Sequence, residues 1–178
     1  INDSINIFNK KLGYNPKYFS YPFGEYDLKQ KKYISEIFKF AFGQHSGVID
    51  MNKDKYELPR FPINEKYGEI VRFKEVISYL PLQYKKVTPA ERLLNQSNNP
   101  PKVKIEFYDG IKNLKNLSCY SNEGEKWRQS NIRFENDFTL VVNINEKFVG
   151  ERGRINCSLR DPSGYWRWLG LQFVLSDK

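Results

Sequence analysis

The spacing of apolar residues changes near residue 85, and this change constrains the fold more than any other feature of the sequence. Beyond Pro101, apolar and polar residues alternate at every second position. Side chains point in turn to opposite faces of a β-strand, so this period is typical of strands with one buried face. The segments, two of them weaker than the rest, are residues 103–107, 117–121, 127–134, 138–144, 155–159 and 169–175. They predict an antiparallel, immunoglobulin-like β-sandwich over residues 102–178.

Before residue 85 the apolar residues follow the helical period instead. A first helix is predicted to end at Gly13, Asp27 is expected to cap a second, and residues 68–80 predict a third. Short extended segments lie at residues 18–21, 40–44 and 58–62. Strands that alternate with helices are typical of βα units, but these units are too few to close a barrel. We therefore predict an α/β plus all-β fold class, in which residues 1–83 form a partial (β/α) barrel segment.

The segment 84–101 lies between these two predicted parts. It contains several prolines and a polar run at residues 95–99. Proline breaks both helices and central strands, so this composition predicts a linker.

The net charge of +8 limits the expected partners. The lysines are scattered and form no tract of the kind that binds nucleic acid, so no nucleic-acid partner is expected. A solvated basic surface and an anionic partner in the cell envelope are the two alternatives. No run approaches the ~18 apolar residues of a transmembrane helix. The chain begins at Ile1 and its one methionine is Met51, so we expect a processed product or part of a longer protein.

The two cysteines, Cys119 and Cys157, share the parity of their apolar neighbours, so both thiols are expected to face the core. One interpretation is a disulfide between the two sheets, which would close a loop of about 40 residues. The other is a pair of buried free thiols that pack as small apolar groups. A disulfide would indicate maturation outside the cytoplasm, in the periplasm or as a secreted protein.

Trp166 and Trp168 have the opposite parity to the core residues of their strand, so both indoles are expected to face outward. Two such rings, with Trp127 and Tyr165 beside them, predict a platform on which a sugar chain stacks. The alternative is a bulge at Gly164 or Gly170 that turns the rings into the core or against the barrel.

Several segments, taken in order, resemble polysaccharide deacetylases of the NodB-like, carbohydrate esterase type. Residues 19–24 (Phe-Ser-Tyr-Pro-Phe-Gly) are similar to the motif that forms one wall of that family's catalytic groove. Residues 42–47 and 58–64 resemble later barrel strands of an envelope-associated subgroup, and residues 68–73 its last barrel helix. Residues 99–101 and 153–168 are similar to its appended sandwich.

The resemblance implies hydrolysis of N-acetyl groups on an envelope or extracellular polysaccharide. In that family a divalent metal, zinc or similar, is held by one aspartate and two histidines, and a second aspartate is the base. The metal acidifies its bound water and polarises the acetamide carbonyl. By position, the backbone N–H of Phe23 would hold the oxyanion. The groove would include Tyr21, Pro22, Gly24, His45 and Arg60. The alternatives are that His45 is a polar loop residue and that Arg60 belongs to a structural ion pair.

The sequence lacks the family's early aspartate pair and its histidine motif, so no metal ligand is assigned in this chain. We expect those ligands in a missing N-terminal part of the barrel, and we expect these 178 residues alone to be inactive. The open barrel segment would pack on the sandwich or pair with a second copy as a homodimer. The alternatives are a non-catalytic carbohydrate-binding module and a degenerate barrel with a structural role.

Overall fold

A computed structural model describes residues 1–176, which contain three α-helices and twelve β-strands. The helices are α1 (Asn2–Leu12), α2 (Leu28–Ile37) and α3 (Ile70–Val76). The strands are β1 (Tyr18–Ser20), β2 (Phe40–Phe42), β3 (Leu80–Pro81), β4 (Lys86–Thr88), β5 (Leu93–Leu94), β6 (Val103–Glu106), β7 (Ser118–Ser121), β8 (Arg128–Gln129), β9 (Asn131–Asn136), β10 (Thr139–Asn143), β11 (Arg152–Arg160) and β12 (Trp166–Leu175). The fold is thus mixed helix and sheet, with most of its regular structure in strands. None of the helices described in residues 1–176 is long and apolar enough to cross a membrane.

Local sequence signals set the ends of the first two helices, as predicted. Helix α1 ends at Gly13, which adopts the left-handed conformation (φ 78°) that glycine favours at this position. Helix α2 begins at a capping box: the Asp27 carboxylate accepts from the Gln30 N–H at 2.6 Å, and the Gln30 side chain accepts from the Asp27 N–H at 3.2 Å.

Strands β1 and β2 form a small parallel sheet, with Phe19 opposite Ala41 and α2 as the connection between them. The third extended segment adds one bridge, from Leu58 to Phe42. A small core lies against this sheet, made of Tyr21, Tyr26, Ile34, Phe38 and Ala41. The predicted strands are present, but residues 1–176 contain no closed barrel, and the partial barrel stays a prediction.

Two larger sheets share one hydrophobic core. The four-stranded sheet has the order β4-β6-β10-β9, and the six-stranded sheet has the order β3-β12-β11-β7-β8, with β5 also paired to β12. The longest ladder, β11 with β12, is antiparallel, whereas β3 and β5 run parallel to β12. The apolar residues that occupy every second position of the strands form the core, which includes Val103, Ile105, Leu140, Val142, Ile155, Leu171 and Phe173. The period of two therefore predicted most of these strands correctly.

The segment 84–101, predicted as a linker, contains two short strands. It carries β4 and β5, which pair into the two larger sheets, and it buries Val87 and Leu94. Its strands are only two or three residues long, so the prolines lie outside the ladders that they would otherwise interrupt. Helix α3 also ends earlier than predicted, because residues 80–81 pair with β12 instead of continuing the helix.

Cys119 and Cys157 form a disulfide within the core. The predicted bond is present, but its predicted place between two sheets is wrong. The two residues face each other on adjacent strands β7 and β11 of one sheet, with their Cα atoms 4.0 Å apart. Side-chain parity reports which face a cysteine occupies and carries no information on which strands become neighbours.

Replacing both cysteines by alanine should lower the free energy of unfolding by about 3–4 kcal/mol, because the 38-residue separation is no longer bridged in the unfolded chain. Urea unfolding measures the loss, and intact mass before and after reduction counts the thiols. Reductant should destabilise the native protein to a similar extent and leave the double variant unchanged. If reductant did not change the free energy of unfolding of the native protein, the assigned disulfide would be contradicted.

Candidate functional site

The polypeptide before residue 80 lies against the outer face of the six-stranded sheet, and a glycine permits the closest approach. A Cβ atom at Gly170 of β12 would collide with the Ser46 carbonyl oxygen. On the same face, the Trp168 indole N–H donates to that carbonyl at 3.1 Å. The Gln172 amide donates to the Gly24 carbonyl at 3.1 Å. Alternate residues of β12 therefore fix the position of the N-terminal segments.

An ion pair adds to this contact. Arg152 on β11 donates to the Glu25 carboxylate at 2.9 Å, with both side chains partly buried. The same guanidinium lies over the Phe23 ring, 5.5 Å from its centroid. Phe23 has φ 55°, which is uncommon for a residue with a side chain, and it is 65% exposed. The turn at residues 22–24 is thus held against the sheet by Gln172 of β12 and Arg152 of β11.

A groove of about 640 Å³ opens beside this contact, between α3 and the outer face of β11 and β12. Its lining combines rings, amides and charged groups from five parts of the chain. The lining residues are Gln44, Ser46, Arg60, Phe61, Pro62, Tyr67, Arg72, Glu75, Val76, Tyr79, Trp127, Arg154, Asn156 and Trp168.

Three aromatic rings form one rigid wall of the groove. The rings of Tyr79 and Trp168 are stacked, with centroids 5.9 Å apart and planes 1° from parallel. The Phe61 ring stands edge-on to both, at 5.6 Å from each. Both arrangements are favourable for aromatic pairs. The wall is fixed further by the hydrogen bond from Trp168 to Ser46, whereas Trp127 is 52% exposed.

The charged groups of the groove are mostly basic. Arg72 on α3 donates to the carbonyls of Pro62 and Tyr67, at 2.9 Å each, and lies over the Tyr67 ring. Arg154 projects from β11, and its Nε atom is buried with no hydrogen-bond partner in residues 1–176. Burial lowers the pKa of the Arg154 guanidinium, and the nearby charge of Arg152 lowers it further.

The groove contains some of the predicted site residues and not others. Arg60, Trp127 and Trp168 line it, so three residues far apart in sequence are brought together. Trp166 is 44% exposed but is not among the lining residues. Trp168 lies beneath Tyr79, whereas Trp166 is the first residue of β12. Both indoles lie on the face of β12 opposite to its core residues, as predicted, but Trp168 packs against Phe61 and Tyr79 instead of lying on an open strand face. The sugar platform stays a prediction.

The remaining predicted groove residues lie elsewhere. Tyr21 belongs to the small N-terminal core and donates its hydroxyl to the Tyr56 carbonyl at 3.0 Å. Pro22 is exposed, and Gly24 is buried against Gln44. His45 lines a separate cavity of about 50 Å³. These residues therefore do not line the same groove as Arg60. His45 lies on the opposite side of the chain from Gln44 and Ser46, which do line the groove.

His45 is buried and electrically neutral. Burial lowers its pKa from 6.5 to about 4, and the nearby Glu57 carboxylate opposes this effect only in part. Its Nδ1 atom has no hydrogen-bond partner in residues 1–176. The Glu57 carboxylate forms ion pairs with Lys31 at 3.0 Å and with Arg92 at 3.9 Å. His45 is thus a core group beside an ion-pair cluster.

Some lining residues were absent from the sequence prediction. Arg154 and Asn156 alternate with the core residues of β11, so their parity does indicate the outer face of the sheet. Phe61 and Tyr79 carry no comparable signal. Their place in the groove depends on how residues 60–79 cross the sheet, and that crossing is a tertiary feature.

The described residues do not fit the divalent metal that the family resemblance implies. No group of three or more histidine, cysteine, aspartate or glutamate side chains in residues 1–176 is placed to hold an ion. The one histidine is buried beside cationic groups, and both cysteines are joined in the disulfide. A hydrolytic metal needs several such ligands around an open position, so we derive no metal-dependent step from these residues.

Comparison of the chain with protein-family models gave no match, and comparison with curated proteins gave none either. The functional conclusion therefore depends on the groove and its chemistry.

His45 should titrate with a pKa of about 4, which NMR can measure without ambiguity because it is the only histidine in the sequence. The unfolded chain binds this proton with a pKa of about 6.5. Above about pH 6.5, the free energy of unfolding therefore includes the full contribution of the neutral imidazole. As the pH falls towards about 4, the protein loses about 3 kcal/mol of this free energy.

His45→Gln removes the titrating group and isolates its contribution from that of the carboxylates. Between about pH 7 and pH 4, urea unfolding of this variant should lose about 3 kcal/mol less stability than the native protein does. Equal losses in the two proteins would show that the imidazole is not buried.

Proposed function

We propose that this chain binds a polysaccharide strand in the groove between α3 and the six-stranded sheet. The wall formed by Phe61, Tyr79 and Trp168 is the observation that carries the proposal. One face of a pyranose ring carries mainly C–H groups and packs on an aromatic ring, while its hydroxyls turn towards hydrogen-bonding groups. The groove offers both kinds of surface.

The size and composition of the groove support this assignment. Its volume of about 640 Å³ lies within the range of about 300–1,000 Å³ that is common for ligand sites. Gln44 and Asn156 place amide groups beside the rings, and an amide can both donate to and accept from a sugar hydroxyl. Trp127 supplies a second, exposed indole for a neighbouring sugar.

We propose further that the chain is the C-terminal portion of a polysaccharide deacetylase. Its parts would be a partial (β/α) barrel segment and an immunoglobulin-like sandwich. The ordered resemblance of residues 19–24, 42–47 and 58–73 to the NodB-like type supports this proposal, as does the β1-α2-β2 unit. The Phe23 backbone N–H would serve the oxyanion, and metal ligands would come from another part of the protein. The disulfide is compatible with a periplasmic or secreted location.

A non-catalytic carbohydrate-binding module is the second candidate. The aromatic wall and the exposed Trp127 indole support it, because they can bind a sugar chain without any reacting group. Both candidates require the groove to bind sugar, and they differ in whether a larger protein uses that binding for hydrolysis.

Trp127→Ala should weaken the binding of an N-acetylglucosamine oligomer by about tenfold, because one stacking surface worth about 1 kcal/mol or more is lost. Isothermal titration calorimetry measures the affinity. Trp166→Ala is the matched control, since it removes an indole of similar exposure that does not line the groove. Its affinity should stay within about twofold of the native value.

Equal losses in the two variants would favour the open strand platform over the groove. Unchanged binding in a folded Trp127→Ala variant, or no binding of any oligosaccharide by the native protein, would refute the proposed groove function.

A further inference from the structure

We propose that the groove selects an acidic polysaccharide, whose sugar carboxylates pair with Arg154 and Arg60. This inference rests on the proposed function of the groove and names the class of polymer that it accepts.

The charges that line the groove do not balance. Three arginines (Arg60, Arg72 and Arg154) face one carboxylate, Glu75, which leaves a net charge of 3 − 1 = +2 in the groove. None of the three arginines forms a salt bridge within residues 1–176. Elsewhere in the same sheet, Arg152 and Arg167 each have a carboxylate partner. The groove thus holds positive charge that no salt bridge within residues 1–176 compensates, in contrast to Arg152 and Arg167.

Arg154 is the strongest sign that an anion belongs in the groove. Its backbone N–H is fixed by the Asn122 side chain at 2.5 Å, so the residue is held firmly in β11. Its guanidinium is partly withdrawn from water, and the buried Nε has no acceptor in residues 1–176. A charge removed from water without a partner destabilises the protein, and buried charges are usually paired. A bound carboxylate would supply the missing acceptor and the counter-charge together.

Arg60 and Arg72 occupy different roles around this group. The Arg60 backbone N–H donates to the His45 carbonyl at 3.0 Å, and its exposed side chain has no partner in residues 1–176. It is therefore available to a ligand. Arg72 donates from Nη1 to two backbone carbonyls, which hold its guanidinium in place, and it adds its positive charge to the groove.

A sugar carboxylate fits this arrangement better than other anions do. The guanidinium fork matches the two oxygens of a carboxylate, and such paired hydrogen bonds are strong and directional. A uronic acid presents that carboxylate on the same ring whose C–H face packs on an aromatic wall. A densely charged polymer without such a ring would use the charge but not the wall of Phe61, Tyr79 and Trp168.

Oligogalacturonate and its carboxyl-reduced form test the inference, because they share one sugar backbone and differ only in charge. By calorimetry at about 0.1 M salt, where distant surface charges are largely screened, the acidic oligomer should bind at least about tenfold more tightly. Equal affinity for the two oligomers would overturn the inference.

Arg154→Gln removes the charge and keeps a hydrogen-bonding side chain. It should reduce the preference for the acidic oligomer about tenfold and leave binding of the reduced oligomer within about twofold. Arg133→Gln is the matched control, since Arg133 lies on β9, outside the lining of the groove, and pairs with Glu135 at 3.6 Å. Arg60→Gln changes an exposed side chain and should also lower the preference for the acidic oligomer. It provides the test if Arg154→Gln does not fold.

The remaining outcomes separate this inference from the function on which it rests. Binding of the reduced oligomer with no gain for the acidic one refutes the acidic selectivity and leaves the sugar groove standing. Failure of both oligomers and of N-acetylglucosamine oligomers refutes the groove function itself. Binding of dextran sulfate or single-stranded DNA as tight as that of oligogalacturonate refutes selectivity for sugar carboxylates and indicates general attraction of polyanions.

Discussion

The contact between Ser46 and β12 determines the arrangement of the N-terminal segments on the larger sheets. A backbone carbonyl approaches the sheet closely enough that only a glycine fits at residue 170. The same carbonyl accepts the Trp168 indole N–H, so its oxygen is hydrogen-bonded where the two segments meet. A side chain at residue 170 would push residues 44–47 outward and separate the two walls of the groove.

The groove exists because the N-terminal segments that this contact positions cover only part of the outer face of the six-stranded sheet. On one side, Arg152 pairs with Glu25 and closes the surface. On the other, Tyr79 rests on Trp168, while Arg154 receives no carboxylate from the segments above it. Aromatic surface and unbalanced charge are therefore exposed side by side. That combination favours a ligand with both an apolar face and an anionic group, which is the chemistry of an acidic sugar.

Several elements followed from local sequence because their causes are local. Gly13 ends α1, and Asp27 with Gln30 begins α2, since a backbone conformation and a capping box need only neighbouring residues. The period of two located the long strands and the faces of Cys157 and Trp168, because alternation along a strand is fixed by backbone geometry. The short strands within residues 84–101 escaped prediction, since two or three residues show no period.

Residue order alone indicated the longer strands, the two helix caps and the faces on which Cys119, Cys157, Trp166 and Trp168 lie. The tertiary structure set which strands pair, and it placed Cys119 beside Cys157 in one sheet rather than across two. It also decided that Arg60, Trp127 and Trp168 share a groove while His45 is buried apart from them. The physical reason is that pairing and covering depend on contacts between distant segments, and side-chain periodicity records only which face is buried.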